Sequence, residues 1–555
     1  MALVHRINSN SGFVLNTFYC KCIINIKRFI TKHNIVRYSN QVGTNSLTNY
    51  DTFEQMLKFR QNEAKRCILV RLHDMKYIND LENFCKYYAN IVKTFPYTTM
   101  NDNNFVLMEL QSTEDVIQLR DVAAFKADTE YVRSVTPLFL FKPRNKLHSN
   151  VSKKHINAYS NFKTPKPNEI RKLLEQVESV SDQMMSLYNV LRFTDLNIRL
   201  RFYTAEQISY YLSKLFSNIC VIPFGSSVNG FGQIGCDLDL LCKTIMDLDE
   251  KNSWKKFLFL TQTVSVVERN EQKEFLEVIC SIMKMCIPGI TDIKKILEAR
   301  VPIIKFCNLN TNMQCDLSST NMVALHMSEL LYIYGQLDWR VKPLVCTIRK
   351  WARIMNVTKD HPGQWITNFS LTLLIIFYLQ TKGILPSMNT IKYFIELDNN
   401  ENKATDPNCN WFISWKKSIK HINDESLHNL LFNFFEYYSI FDFKMHAICI
   451  REGNFKLKND ISPLYIHNPF NATLNVSKNV TSGELMRLVD HFQQAFNIML
   501  SSAEKDIIFK LFKLELKRTE ANYKSANQKQ ETEFDEKLFP TNISGLEKMQ
   551  GNIIK

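Results

Sequence analysis

The 555-residue sequence lacks long apolar runs, and its longest unbroken one covers only Leu373 to Leu379. A membrane-spanning helix needs about 20 apolar residues, so we expect no membrane insertion. The 14 cysteines contain no Cys-x-x-Cys pair, which argues against a zinc site or a disulfide framework and favours reduced, buried thiols. With only 14 glycines and 15 prolines, the chain is neither collagenous nor of low complexity. A composition of 45% hydrophobic and 22% charged residues is that of a globular protein with an ordinary core.

Acidic residues are absent from the first 50 residues, which carry six Lys or Arg. Such a basic, acid-free N terminus predicts a mitochondrial transit peptide over residues 1–45, and hence a location in the mitochondrial matrix. The alternative is a basic disordered arm that touches nucleic acid. The whole chain has a formal net charge of +14, which favours a polyanionic partner or an anionic membrane surface.

A small αβ domain is predicted over residues 60–145, with strands and helices in the order β-α-β-α-β. The predicted strands are 66–72, 105–110 and 137–141, and the predicted helices are 51–65, 78–92 and 113–126. This order is typical of a domain like the RNA-recognition motif, which binds bases through aromatic side chains on its central strands. Leu69, Asn103 and Met108 stand at three of those positions, so we expect a structural or dimerising domain instead.

The rest of the chain is mainly helical, apart from short strand-like segments between residues 220 and 320. A basic linker containing proline is predicted over 146–167, and a polar tail over 514–555. Helical patterns cover 168–191, 205–216, 329–357, 366–381 and 426–442.

A glycine-rich segment after a predicted strand combines a phosphate-binding turn with two carboxylates. The strand ends at Phe224, and Gly225 and Ser226 then offer a backbone turn and a hydroxyl that can hold phosphate oxygens. Asp237 and Asp239 open the next strand, and because strand side chains alternate, both carboxylates face one side. Two such carboxylates repel each other unless a cation lies between them, and hard oxygen ligands suit Mg²⁺.

Two neighbouring motifs are interpreted as accidental. The segment 230–235 matches the dinucleotide-binding fingerprint, but that fingerprint requires a following helix, and a strand is predicted there. Asp247 and Asp249 repeat the Asp-x-Asp spacing without a glycine-rich loop, which indicates a solvated loop.

A third carboxylate is expected on an adjacent strand. The segments 301–306 and 313–317 predict a hairpin, and Asp316 lies inside its second strand. A carboxylate in that position is costly unless it is paired or bound to a metal. The alternative is that Asp316 caps the following turn, where Ser318 and Ser319 stand.

The Gly225-Ser226 pair, Asp237-x-Asp239 and Asp316 together resemble the nucleotidyltransferase superfamily of the DNA-polymerase-β type. The segment 338–353 is similar to the central-domain helix of poly(A) and terminal uridylyl polymerases. The stretches 365–372 and 462–470 are similar to the mitochondrial poly(A) polymerases. The order of transit peptide, degenerate RNA-recognition-like domain and polymerase core has the same resemblance, which covers roughly residues 60–500.

The resemblance implies an α+β fold. It places a nucleotidyltransferase palm, with a mixed sheet, at 195–318 and a helical central and poly(A)-polymerase-associated domain at 168–194 and 319–505. The implied function is that of a mitochondrial polynucleotide adenylyltransferase, which adds adenylates from ATP to the 3′ ends of single-stranded RNA. The resemblance also implies a homodimer that forms through the N-terminal domain.

The resemblance also assigns roles to residues. Asp237 and Asp239 would hold two Mg²⁺ (or Mn²⁺) ions against the ATP phosphates, and Asp316 would complete the metal site at the RNA 3′-oxygen. The implied ATP-binding residues are Gly225, Ser226, Ala324, Ser328, Arg349, Arg353, Asn368, Phe369 and Lys478. The two arginines stand where relatives have lysines that grip the phosphates, with Lys350 as an alternative donor. Phe369 would stack on the base.

Leu474 bears on base selection, because uridylyl transferases carry a uracil-reading histidine at the corresponding place. A leucine side chain cannot donate a hydrogen bond to uracil, which favours ATP over UTP. Two other functions stay open: a terminal uridylyl or oligo(A) transferase, and an inactive RNA-binding scaffold. Three clustered carboxylates argue against the scaffold, which would have no use for them.

Overall fold

A computed structural model provides the structure of the chain. It describes residues 53–126, 131–133, 138–142, 164–216, 218–244, 269–319, 321–361, 363–393, 423–458, 460–471 and 473–514. The predicted transit peptide, the Asp247-x-Asp249 pair and all but the first residue of the predicted tail lie outside these residues. Within the described part of the chain, no helix combines the length and the apolar character needed to cross a bilayer.

The N-terminal αβ domain contains one more sheet strand and one more hairpin than predicted. Its elements are α1 (Phe53–Lys65), β1 (Cys67–Leu72), α2 (Ile78–Lys86), β2 (Ile91–Thr98), β3 (Asn104–Leu110), α3 (Thr113–Val122), β4 (Ala124–Lys126), β5 (Tyr131–Arg133) and β6 (Leu138–Phe141). The helix predicted to reach residue 92 ends at Lys86, because the β-branched Ile91 and Val92 begin a strand that pairs with β3. The helix predicted to reach Lys126 ends at Val122, and β4 pairs with β5 instead.

The chain then passes through three helices into a five-stranded mixed sheet. These elements are α4 (Pro167–Leu174), α5 (Val180–Leu191), α6 (Asp195–Leu212), β7 (Ile219–Phe224), β8 (Leu238–Thr244), α7 (Arg269–Cys286), β9 (Ile290–Ile296), β10 (Ile303–Asn308) and β11 (Met313–Ser318). The strand order is β7-β8-β11-β10-β9, and only β8 and β11 pair in parallel. The predicted hairpin is confirmed as β10 and β11. A strand, β8, follows the segment 230–235, which excludes a dinucleotide-binding turn.

Both faces of the N-terminal sheet are covered. Its strand order is β2-β3-β1-β6, with β6 parallel to β1. One face packs on α2 and α3 through Val70 and Val106. The other packs on α6 through Leu69, Phe105 and Tyr97, whose hydroxyl donates to the carbonyl of Asn310 at 2.7 Å. Because this second face is the one that binds bases in RNA-recognition motifs, its burial is consistent with a structural role for the domain.

A buried ionic network also joins this domain to α6. The Arg199 guanidinium donates to Glu63 at 2.7 Å, to Glu109 at 2.8 Å and to Asp195 at 2.8 Å. Arg60 on α1 bridges Glu63 and Asp195 at 2.8 and 2.9 Å. The network therefore ties α1, β3 and α6 together with charges that are almost completely removed from water except at Asp195, which is 40% exposed.

The remaining helices surround a separate hydrophobic core, to which α4 and α5 contribute. They are α8 (Met322–Leu337), α9 (Val341–Ile354), α10 (Asn368–Thr381), α11 (Leu427–Ser439), α12 (Ser482–Ser501) and α13 (Ile507–Leu511). The apolar stripe 329–357 is divided between two helices at Asp338, whose carboxylate accepts from Arg340 at 2.9 and 3.0 Å. A hairpin of β12 (His446–Cys449) and β13 (Asn454–Leu457) was not predicted. The structure is the predicted α+β fold.

Glu206, on α6, predicts a pH dependence of stability. Burial raises its pKa to about 7, although Lys65 and Arg120 lower it. Because the folded state disfavours the ionised carboxylate, its contribution to stability falls as the pH rises from the unfolded pKa near 4.5 to about 7. We expect Glu206→Gln to unfold at a higher temperature than the wild type at pH 8, with a gain of up to about 3 kcal/mol. Thermal unfolding measured from pH 5 to pH 8 should show this gap widening, and a constant gap would contradict the prediction.

Candidate active site

The three predicted carboxylates lie on or beside two neighbouring strands of the mixed sheet. Asp239 is the second residue of β8, and the parallel register pairs it with Asp316 on β11. Asp237 immediately precedes β8, two residues before Asp239, so strand alternation favours the same face. Leu238 and Leu240 point into the core beneath α6 and α7. Leucines and aspartates alternate along this segment, so the leucines form the buried face of the strand and the aspartates form the opposite face.

The carboxylates are crowded and partly shielded from water. Burial, reinforced by the charges of Asp316 and Asp237, raises the pKa of Asp239 to about 7. The pKa of Asp237 is also raised, mainly by burial, although Lys305 acts in the opposite direction. Together these shifts mean that the cluster holds its full negative charge only at a cost, which a bound cation would relieve.

Lys305 is the site residue that sequence reasoning missed. It lies on β10 directly opposite Asp316, and its Nζ donates to both carboxylate oxygens at 2.8 Å. Burial favours a lower pKa for Lys305, but the hydrogen bond and the carboxylates outweigh burial and raise it. The signal was present in the sequence, because the predicted hairpin register places Lys305 across from Asp316.

The donor set matches a hard divalent cation in chemistry, but Asp316 already has a cationic partner. Among the described residues, no three His, Cys, Asp or Glu side chains converge into a ready-made metal site. At Asp316, the Lys305 ammonium engages both oxygens of the carboxylate. The three aspartates are therefore suited to Mg²⁺ by ligand type and by register, provided that Asp316 exchanges Lys305 for the metal.

The Gly225-Ser226 turn is held against the carboxylates. Gly225 has φ near +65°, and a Cβ added there would lie 2.6 Å from an oxygen of Asp239. The Gly225 N–H donates to the Ser328 hydroxyl at 2.7 Å, which in turn donates to the carbonyl of Ala324 at 2.6 Å. Ser226 is half-exposed in the same turn. Ser328, one of the implied ATP-binding residues, thus fixes the turn from a buried position on α8.

Arg201 holds the Gly225-Ser226 turn and the start of β8 together from a buried position. It was not identified from the sequence. Its guanidinium donates to the Ser227 hydroxyl at 2.8 Å and to the carbonyls of Cys236 and Asp237. It lies 4.0 Å from the centre of the Phe193 ring. Burial lowers its pKa. Arg201 therefore connects the turn after β7 with the start of β8, and so orients both halves of the motif.

The two arginines predicted to grip phosphate already have protein partners. Arg349 is half-buried and donates to the carbonyl of Phe231 in the glycine-rich loop at 3.0 Å. Arg353 is exposed and forms an ion pair with Asp360. As they stand, Arg349 supports the loop, whereas Arg353 could receive a triphosphate only by releasing Asp360.

The other predicted nucleotide contacts lie on α10 and on the loop that follows β13. Asn368 and Phe369 are half-buried in the first turn of α10, and Phe369 packs against the helical core. Leu474 is half-buried, and its N–H and carbonyl are bonded to the backbone of Asn471 and Asn468. Lys478 is exposed.

Contacts connect these elements to α8. The Ser370 hydroxyl of α10 donates to the carbonyl of Val476 at 3.3 Å. The rings of His326 on α8 and Phe470 lie 6.0 Å apart. These contacts, with the Ser328–Gly225 hydrogen bond, connect the loop that carries Leu474 to the Gly225-Ser226 turn.

Replacing Gly225 with alanine should abolish most of the activity, because the new Cβ would displace the Asp239 carboxylate. Gly383 is a matched control, since it has φ near +69° but no atom within 4 Å of an added Cβ. Both variants should lose about 1 kcal/mol of stability from backbone strain. Only Gly225→Ala should lower kcat, by about 10²-fold or more. Equal kcat values for the two variants would contradict this prediction.

Two family models match the chain. One, described as "Poly(A) RNA polymerase, mitochondrial-like, central palm domain", matches residues 180–336. The other, described as "Cid1 family poly A polymerase", matches residues 426–474.

Several curated proteins are similar over most of their length. Poly(A) RNA polymerase, mitochondrial, of Mus musculus is 34% identical, covering 81% of this chain and 77% of that protein. The protein of the same name in Homo sapiens is 34% identical, covering 79% of this chain and 75% of its own. The Drosophila melanogaster protein is 30% identical, with 86% and 80% covered.

Solved structures agree with these matches. A crystal structure of mtPAP in complex with ATPγS has a TM-score of 0.71 at 30% sequence identity. A complex of mtPAP with UTP has a TM-score of 0.73, also at 30% identity. Each match covers 83% of this chain and 99% of the other, so the similarity includes both the αβ and the helical parts.

Proposed function

The chain belongs to the family of mitochondrial poly(A) RNA polymerases, and on that basis we propose that it adds adenylates from ATP to the 3′ ends of single-stranded RNA in the mitochondrial matrix. Membership of the family makes it a template-independent RNA nucleotidyltransferase. The observation that carries the proposal is the strand register that pairs Asp239 with Asp316. The Gly225 turn lies against this pair, so closely that a Cβ added to Gly225 would be 2.6 Å from an oxygen of Asp239.

In the proposed reaction, the RNA 3′-hydroxyl oxygen forms a bond to the α-phosphorus of ATP, the bond to pyrophosphate breaks, and the hydroxyl proton is lost. Asp237, Asp239 and Asp316 would hold Mg²⁺ or Mn²⁺, which when bound supplies charge neutralisation at the triphosphate and activates the hydroxyl. Asp316 is the carboxylate nearest to β10 in the strand order, and the family resemblance assigns it to the 3′-hydroxyl and its proton.

The surrounding residues would bind and orient the triphosphate. The Ser226 hydroxyl, half-exposed in the turn, would donate to a phosphate oxygen. Arg349 would keep the glycine-rich loop in place through the Phe231 carbonyl. Arg353 would release Asp360 and bind a phosphate group instead. This ion pair would be the stronger one, because the triphosphate carries more negative charge than one carboxylate.

Base choice is assigned to the loop that carries Leu474. An apolar side chain there offers no hydrogen bond to uracil, which supports ATP as the substrate. The mtPAP structures include complexes with UTP, GTP and CTP as well as with ATPγS. Binding of a nucleotide therefore does not establish its use, and the test must measure incorporation.

A primer-extension assay tests the proposal. Protein without residues 1–45 is mixed with a short single-stranded RNA, Mg²⁺ and each of the four nucleoside triphosphates in turn. We expect extension with ATP and none in Asp237→Ala. Equal extension with UTP would move the protein to the uridylyl transferases, and no extension with any nucleotide would favour the scaffold.

We also propose that the chain forms a homodimer through its N-terminal domain. This is supported by an exposed aromatic group on the outer side of that domain, where the Phe84 ring lies 5.3 Å from Tyr88 and 6.0 Å from Phe141. Sedimentation velocity of the full chain should give the mass of a dimer, whereas a monomeric mass would contradict the proposal. Deleting the domain is a poor test, because it would expose the α6 core.

A further inference from the structure

Two lysines continue the row of site residues across the mixed sheet. Asp239 pairs with Asp316, Asp316 with Lys305, and Lys305 with Lys294 on the edge strand β9. Directly paired residues on neighbouring strands point to the same face of a sheet. The four side chains therefore form one row of two acids followed by two bases, and we call Lys305 and Lys294 the lysine row.

Lys295, the residue after Lys294 on β9, shows which face of the sheet each lysine occupies. Lys295 forms an ion pair with Glu277 of α7 at 3.0 Å, on the face that α7 covers. Ile293 packs into the core on that same face. Lys294, between them, points to the opposite, carboxylate face, where it is exposed. Among the residues that the structure describes, Lys294 has no ion-pair partner.

The remaining charged group of β9, Asp292, is a single acid against the two bases of the lysine row. Asp292 lies beyond the irregular register between Lys305 and Cys307, and its carboxylate accepts from the Thr291 hydroxyl at 3.2 Å. On the carboxylate face, the edge of the sheet thus presents a net positive charge immediately beside Asp316.

The position proposed for the triphosphate takes up only one side of the carboxylates. The Gly225-Ser226 turn and α8 lie at the β7 and β8 side, where the Ser328 hydroxyl holds the turn. The proposed triphosphate position is on that side. The β10 and β9 side is left for the RNA, and with strands about 4.8 Å apart, Lys294 lies roughly 10 Å from Asp316 along the row.

We propose that the lysine row binds backbone phosphates near the 3′ end of the RNA, so that the RNA crosses β9 and β10 to reach Asp316. This proposal rests on the proposed function. The lysine ammonium groups act as point charges on phosphate, which suits a substrate held without regard to its base sequence. Once Asp316 exchanges Lys305 for the metal, the freed Lys305 ammonium lies beside the reacting end of the sheet and pairs with the RNA phosphate nearest to it.

The test compares Lys294→Gln with Lys295→Gln in the full chain. The probe is a fluorescent single-stranded RNA that ends in a 3′-deoxynucleotide, which binds but cannot be extended, and its anisotropy gives Kd at several salt concentrations. Lys294→Gln should raise Kd by about fivefold and reduce the salt slope by about 0.7. Lys295→Gln should stay within about twofold of the wild type, because its side chain lies on the other face.

Equal RNA affinity of the wild type and Lys294→Gln would overturn the proposal, as would equal losses in the two variants. The substituted side chains are both exposed, so thermal unfolding should confirm that each variant is folded. With an extendable RNA, Lys294→Gln should raise the KM for RNA and leave kcat unchanged. Absence of adenylate addition by the wild type would instead reject the proposed function, which the anisotropy experiment does not depend on.

Discussion

Replacing Asp316 with alanine should lower the rate of adenylate addition by about 10³-fold or more. The variant removes the carboxylate that faces both Asp239 and the proposed RNA 3′ end. It also leaves the Lys305 ammonium without the two oxygens to which it donates. A positive charge would then stand where the reaction needs a negative one. Primer extension under single-turnover conditions measures the effect directly.

Gln314→Ala is the matched control for Asp316→Ala. Gln314 is exposed, lies on the same strand and is two residues away, so it shares the face of Asp316. Its loss should change the rate by less than about twofold, since it carries no charge into the cluster. Asp316→Ala activity within about tenfold of the wild type would contradict the assigned role.

Replacing Arg199 with methionine should destabilise the protein by about 3–5 kcal/mol. Its guanidinium bonds to Glu63, Glu109 and Asp195, and the first two of these carboxylates are only 5–6% exposed. Methionine fills a similar volume but removes one cationic partner from each acid, so that Glu63 and Asp195 keep only Arg60, and the buried Glu109 keeps only the partly exposed Arg66. Urea denaturation should show the loss as a lower midpoint.

Lys58→Met is the control for Arg199→Met. Lys58 pairs with Glu54 on the same helix α1, with the two side chains 68% and 45% exposed. An exposed pair of this kind contributes about 0.5 kcal/mol or less. Comparable losses in Lys58→Met and Arg199→Met would mean that the buried network does not stabilise the junction.

The carboxylates were predictable one by one because their signals are local. A glycine turn and a two-residue alternation identify Asp237 and Asp239, and a hairpin places Asp316 inside a strand. No local pattern specifies the parallel pairing of β8 with β11 that brings Asp316 beside Asp239. Lys305 could have been found by the same hairpin pairing. Arg201 could not, because it lies on α6, more than 30 residues before the carbonyls to which it donates, and no local pattern connects the two.

The N-terminal sheet shows a different limit of sequence reasoning. Strand β1 has buried residues on both faces from Cys67 to Val70, and β3 is buried continuously from Phe105 to Leu110. Strands with apolar residues on both faces, interrupted here only by the paired Glu109, indicate a sheet covered on both sides. The pattern predicts that a second layer exists, but not that α6 supplies it. The strand β2 was missed because Ile91 and Val92 continue the spacing of the helix before them.

The doubly covered sheet has a consequence for how the chain folds. Leu69 and Phe105 belong to the same hydrophobic cluster as Leu200 and Leu240, so neither αβ unit encloses a complete core of its own. The two units should therefore melt in a single cooperative transition, and their most protected amide hydrogens should exchange together. A fragment cut at the linker would carry a bare apolar sheet face and would aggregate instead of folding as an autonomous module.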